Sequence, residues 1–133
     1  MKNSKNIKKP QPTPQQRLGL WGENFCIKWL RKRNYKIIQH RFTCREGEID
    51  IIAKDKNQIV FIEVKTRTNQ KFGLPEESVT KSKLERFEKT IWHWLEENDL
   101  QNADFRIDIL ALQINRNLKS IKIEYFKNIL TDF

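Results

Sequence analysis

Long apolar runs are what this sequence most plainly lacks. No stretch of consecutive hydrophobic residues exceeds four, as in Ile59–Ile62 and Ile109–Leu112. A helix that spans a bilayer needs about 20, so a membrane span is excluded and no membrane partner is expected. The Lys-rich N-terminus has no apolar stretch behind it and does not read as a secretory signal. Cysteine is nearly absent: Cys26 and Cys44 stand alone and read as neither a disulfide framework nor a zinc site. Both are expected to be reduced and structural, in a cytoplasmic protein. Glycine and proline number four each, and no Gly-rich phosphate loop or internal repeat is found.

Acidic residues are missing from one part of the chain. Residues 1–36 carry ten Lys/Arg and a single acid, Glu23, whereas the other 97 residues carry 16 of each sign. The whole net charge of +9 therefore belongs to the N-terminal segment. Such a segment is drawn to polyanions, and counterion release strengthens the attraction. Nucleic acid is the expected partner class, with a solubilising tail as the plainer alternative. An anionic membrane surface fits less well, because the arm lacks an apolar stripe.

What remains is enough for one domain. The chain has 133 residues, 38% of them hydrophobic, which supports a single core. Residues 1–14, MKNSKNIKKPQPTP, bury almost nothing and read as a flexible basic arm; 15–133 form the domain. Leu18, Trp21, Phe25 and Trp29 recur at helical spacing, and the helix should end near Asn34. Three extended segments follow, Tyr35–Cys44, Glu48–Lys54 and Ile59–Thr66, the last two as a hairpin. A polar stretch over 67–77 reads as a loop. Leu84, Phe87, Ile91, Trp94 and Leu95 mark a second helix, with Ser82 and Glu85 as a capping box and an end near Asn98. Asp104–Ile114 and Lys119–Phe126 are two further strands. The expected fold class is α/β, a central mixed β-sheet flanked by helices in the order α-β-β-β-α-β-β.

The chemistry concentrates in Glu48-Ile49-Asp50 and Glu63-Val64-Lys65. Alternate strand residues share a face, so Glu48 pairs with Asp50, and Glu63 with Lys65. If the hairpin reverses between Lys56 and Asn57, Asp50 falls opposite Glu63 and Glu48 opposite Lys65. Opposed β-carbons lie about 4.5–5.5 Å apart, close enough for two carboxylates to repel. Ile49, Ile51, Val60, Ile62 and Val64 would form the apolar reverse face. A hard cation such as Mg²⁺ relieves that repulsion and activates a water. A solvated hairpin with a Glu48–Lys65 ion pair is the simpler alternative. Glu23 sits on the side of the first helix that carries Gly19, Cys26 and Leu30, so it points inward and needs a partner, either a metal or an Arg or Lys. Glycines at 19 and 22 would let that helix approach closely. The four tryptophans read as core or interface residues, and neither His40 nor His93 has a partner at ligand spacing.

Arg17-Leu18-Gly19, Gly22-Glu23, Gly47–Ala53 (GEIDIIA), Val60–Arg67 (VFIEVKTR), Phe72-Gly73, Lys83 and Arg106-Ile107-Asp108 occur in that order. Over about residues 15–130 they resemble the YraN-like bacterial family of predicted endonucleases. That family is similar to archaeal Holliday junction resolvases and has a restriction-endonuclease-like core. The resemblance implies a PD-(D/E)xK site that uses Mg²⁺ or Mn²⁺. Asp50 and Glu63 would be metal-binding acids, with the Val64 carbonyl completing the shell; Lys65 would be the catalytic lysine and Glu23 the helix-borne acid. Arg17, Arg67 and Lys83 would contact nucleic acid. Cys26 stands where that family usually has Ala. The function so implied is endonucleolytic hydrolysis of branched or structured DNA, with a homodimer suggested by likeness to the resolvases. A nucleic-acid-binding module without turnover, or an assembly protein, remains open.

Overall fold

Thr13 starts the first helix with a reciprocal cap. Its hydroxyl accepts from the Gln16 amide at 3.1 Å, and the Gln16 side chain accepts from the Thr13 amide at 2.8 Å, which satisfies two otherwise orphaned donors. Pro14 follows at the first helical position, where its missing N–H costs nothing. The residues just before Gln15 are thus the cap of the folded domain.

The computed structural model describes residues 10–68 and 80–129. Along the chain lie α1 (Pro14–Arg31), β1 (Lys36–Cys44), β2 (Gly47–Asp55), β3 (Gln58–Thr68), α2 (Lys81–Glu97), β4 (Phe105–Asn115) and β5 (Ser120–Phe126). The element order matches the expectation. Most of the anticipated 67–77 loop and residues 1–9 of the arm lie outside the described residues. No helix among the described residues is long and apolar enough to cross a membrane. At α2 the N-cap is Thr80, whose hydroxyl accepts from the Lys83 amide at 3.1 Å. Ser82, anticipated as the cap, already lies in the first turn.

The strands form one sheet in the order β1-β2-β3-β4-β5. Neighbours are antiparallel except β3 and β4, which run parallel over ten pairs from Ile59↔Phe105 to Thr68↔Ile114. The β2–β3 register is the one anticipated: Ile51 faces Ile62 and Asp55 faces Gln58. Each sheet face carries its own core. Ile49, Ile52, Phe61, Ile107 and Ile109 pack with Leu84, Ile91, Trp94 and Leu95 of α2. Ile51, Val60, Ile62, Leu110 and Leu112 pack with Cys26, Ile27 and Leu30 of α1.

Ile49 and Ile51 therefore point to opposite faces, not to the shared face that strict alternation predicts. The cause is an irregularity where the β1–β2 ladder steps from His40↔Ile51 to Phe42↔Ile49 with no Arg41–Asp50 pair between. Arg41 has φ 60°, a left-handed conformation that breaks the pleat. The alternation slips by one residue on both strands at this point.

A polar clamp closes the α1 side. Asp108, fully buried on β4, accepts from Arg106 Nε through both oxygens at 3.1 Å and from the Asn128 amide at 2.8 Å. The Tyr125 hydroxyl also donates to it. Arg106 reaches on to the Tyr35 hydroxyl at 3.0 Å, Gln58 at 3.0 Å and Asp55 at 3.1 Å. Burial works against the Arg106 charge, but Asp108, Tyr125 and Asp55 together more than offset this, so the guanidinium is held even more firmly protonated than usual. The Arg-x-Asp pair is thus an internal tie between strands and the segment after α1.

Candidate functional site

Helix α1 approaches the sheet at Gly22. A β-carbon there would lie 2.0 Å from Thr66 Oγ1 on β3, so only glycine fits this contact. The close approach seats the next residue, Glu23, against β1 with 5% of its surface exposed. One Glu23 oxygen lies 2.8 Å from His40 Nε2 and the other accepts from Arg41 Nη2 at 3.0 Å. The inward carboxylate therefore has protein partners, an Arg among them. The hydrogen bond to Glu23 raises the Arg41 pKa further.

The second acid sits where two strands part. The β2–β3 ladder pairs Ile51 with Ile62 and goes no further toward Gly47. Beyond it the Asp50 side chain takes over, its Oδ2 accepting the Val64 amide at 2.8 Å. Asp50 and Glu63 are thus adjacent in register but are not a ladder pair. Burial pushes the Asp50 carboxyl up to about 7; the Val64 N–H pulls the other way, and Glu23, Glu63 and Glu48 add to the rise. Glu23 and Glu63 have Arg41 and Lys65 beside them, whereas Asp50 has no ion-pair partner among the described residues.

Glu63 and Lys65 follow on β3, with Lys65 Nζ 3.1 Å from Glu63 Oε1. The anticipated Glu48–Lys65 ion pair is not formed; Lys65 pairs along its own strand. Glu63 lines an open groove of about 200 Å³ beside α2, together with Glu46, Glu48, Lys83, Arg86, Phe87 and Thr90. Lys83 lies in the first turn of α2, the end of the helix whose dipole favours anions. Among the described residues, Arg67 Nε is buried with no hydrogen-bond partner. Arg17 does not line the groove; its guanidinium donates to the Pro12 carbonyl at 2.9 Å.

Residues 22–112 match the model of a family described as Uncharacterised protein family UPF0102. The chain belongs to the UPF0102 family. A UPF0102 protein of Sulfurihydrogenibium sp. is 43% identical over 98 residues, 74% of this chain and 85% of that relative. One from Caldicellulosiruptor saccharolyticus is 35% identical over 114 residues, 86% and 97% of the two chains. One from Geotalea uraniireducens is 40% identical over 111 residues, 84% and 87%. The UPF0102 match spans Glu23, Asp50, Glu63, Lys65 and Lys83, and leaves out Arg17 and β5.

Several contacts of this UPF0102 chain were hidden from a linear reading. His40 and Arg41 hold Glu23, although only their neighbouring position before the GEIDIIA block hints at it. Arg86 joins the groove one helical turn after Lys83, a spacing that reveals it once the helix is placed. Cys44 and His93, read as unrelated, meet at Glu46: Cys44 Sγ lies 3.5 Å and His93 Nδ1 3.4 Å from its Oε1. Of the tryptophans, Trp94 is core, with Nε1 donating to Gln39 at 2.9 Å, while Trp21 and Trp92 remain about two-fifths exposed.

Proposed function

We propose that this UPF0102 protein is a metal-dependent endonuclease that hydrolyses phosphodiester bonds in DNA, with branched or structured DNA as its substrate. The observation that carries the reading is Asp50. Its carboxyl is held at the strand fork by the Val64 amide and pushed up to about 7 by burial and three neighbouring acids. A buried carboxylate crowded by three acids and without an ion-pair partner of its own suits a hard divalent cation.

The donor set fits Mg²⁺ or Mn²⁺. Asp50 and Glu63 would hold the ion, with the Val64 carbonyl, and Glu23 would act from the α1 side. Among the described residues these acids are not gathered into a triad of ligand atoms within 4.8 Å of one another. Loading would draw these side chains together, and Glu63 now has Lys65 as its partner at 3.1 Å. When bound, such a cation supplies an activated water and a Lewis acid for the phosphate. The rest of the chemistry belongs to side chains. Lys65, released from Glu63, would keep its ammonium charge, orient the attacking water and screen phosphate charge. Lys83 and Arg86 offer positive charge along the groove floor and steer the phosphate backbone toward Glu63. Glu23, fixed by His40 and Arg41, keeps Asp50 under electrostatic pressure and so sharpens its need for a cation.

Cleavage of a panel of branched, duplex and single-stranded DNA and RNA, with Mg²⁺, Mn²⁺ or EDTA, tests the proposal. Asp50→Asn, Glu63→Gln and Lys65→Ala should each lower turnover by orders of magnitude while most binding remains, because affinity rests on phosphate contacts elsewhere. Activity that survives in all three variants would come from a contaminant. Wild type that binds with a steep salt dependence but cuts no substrate would make the protein a binding module.

A further inference from the structure

The tip of the β1–β2 hairpin brings together three donors of different chemistry. Cys44 pairs with Gly47 across a two-residue turn, so Glu46 projects from the turn itself. His93 reaches the same point from α2. One donor atom from each of Cys44, Glu46 and His93 lies within 4.8 Å of the other two. Two of the three separations are specific: 3.5 Å for Sγ to Oε1 and 3.4 Å for Oε1 to Nδ1.

Those separations can be compared with a tetrahedral zinc centre. Bonds of about 2.3 Å to sulfur and about 2.1 Å to nitrogen and oxygen put S···O at about 3.6 Å, O···N at about 3.4 Å and S···N at about 3.6 Å. Two edges of the triangle already have these lengths. The third, from Sγ to Nδ1, would close as the half-exposed His93 ring settles onto the ion.

A fourth residue completes a recognisable arrangement. Glu97, one turn after His93, has Oε1 at 3.3 Å from His93 Nε2. A carboxylate on the far nitrogen fixes the tautomer that leaves Nδ1 as a ligand, and raises its basicity. A hard cation would not choose thiolate and imidazole; a borderline-soft one would. Cys26 is no competitor. It is fully buried, and burial followed by Glu23 and Asp50 pushes its thiol up to about 12.

We infer that Cys44, Glu46 and His93 form a Zn²⁺ site, with Glu97 positioning His93 and the fourth position open to water. Binding converts the Cys44 thiol to thiolate and releases its proton to solvent. The ion fastens the hairpin tip to α2. Since Glu46 also lines the groove beside Glu63, the clip steadies one wall of that groove. The site does not depend on the nuclease reading, which concerns a different metal on different residues.

The full chain, reduced and freed of metal, is titrated with Zn²⁺ by calorimetry and with Co²⁺ by absorbance. One equivalent of Zn²⁺ should bind, the melting temperature should rise, and Co²⁺ should show thiolate-to-metal charge transfer and tetrahedral d–d bands. Cys44→Ser and His93→Ala should lose the charge-transfer band and at least tenfold in affinity. Glu97→Gln should weaken binding about tenfold without abolishing it. Cys26→Ala should leave the titration unchanged. Circular dichroism checks that each variant is folded. The proposal fails if Co²⁺ shows no thiolate band, or if Zn²⁺ affinity is unchanged in Cys44→Ser. It also fails if binding is lost in Asp50→Asn, which would place the ion among the strand acids.

Discussion

Asp50→Asn should make the metal-free protein more stable at pH 8 and much less sensitive to pH. The folded chain holds the Asp50 carboxyl at about 7, against 3.8 for an unperturbed Asp. Between those values the folded state keeps a proton that the unfolded chain has released. Stability therefore falls as pH rises through this window, because the native state binds more protons. The full loss is the shift multiplied by about 1.4 kcal/mol per pH unit, a ceiling of about 4 kcal/mol above pH 7. Asparagine never ionises, and its Oδ1 can still accept the Val64 amide that Asp50 now holds at 2.8 Å. Urea unfolding in EDTA at pH 4.5 and pH 8 provides the assay, with slopes compared to confirm a common unfolded state. The variant should match wild type at the lower pH and exceed it by 2 kcal/mol or more, up to about 4 kcal/mol, at the higher. Added Mg²⁺ should then stabilise wild type at pH 8, where the ion replaces the missing positive charge, and leave the variant unmoved. Equal stability at pH 8, or equal pH slopes, would refute the claim that Asp50 is ionised under strain at a crowded fork.

Gly22→Ala should destabilise the domain by about 1–3 kcal/mol, since its methyl would meet Thr66 Oγ1 at 2.0 Å; Thr66→Ala in the same chain should restore part of that loss in thermal unfolding. Asp108→Ala removes the acceptor for Arg106, Tyr125 and the Asn128 amide, and should cost about 3–5 kcal/mol by denaturant titration. Deleting residues 2–9 takes away Lys2, Lys5, Lys8 and Lys9; it should weaken nucleic-acid binding alike across sequences and lower the salt slope by up to about 4, read from binding isotherms at several ionic strengths.

Periodicity made most of the fold legible. The 3.6-residue spacing of Leu84, Ile91, Trp94 and Leu95 and the β-branched apolar run Ile59–Ile62 needed no tertiary knowledge. The β2–β3 register followed from a two-residue turn at Lys56-Asn57, because a hairpin's turn fixes its pairing. Alternation failed at Asp50, since the slip originates in the left-handed Arg41 on a different strand, and nothing within GEIDIIA encodes it. The partners of the site were harder still to read. Glu23 was recognisable as an inward acid, but whether cation or Arg met it depended on where β1 crossed α1. The Thr80 cap was passed over for Ser82 because both satisfy the same short pattern, and only the helix start distinguishes them.

The parallel pairing of β3 with β4 also bears on how fast and how safely the chain folds. Hairpins β1–β2 and β2–β3 close over two-residue turns and can form locally. The β3–β4 ladder cannot begin until everything from Thr68 to Phe105 has been brought round, and such closure is slow. Until β4 arrives, the Ile59-Val60-Phe61-Ile62 stretch has one unpaired edge and a wholly apolar, β-branched or aromatic sequence. An exposed edge of that composition is a template for pairing with another chain. Refolding yield should therefore fall with protein concentration, and the amides of β4 should be the last in the sheet to gain protection from exchange. The strand that carries Glu63 and Lys65 is, during folding, the one most exposed to misassembly.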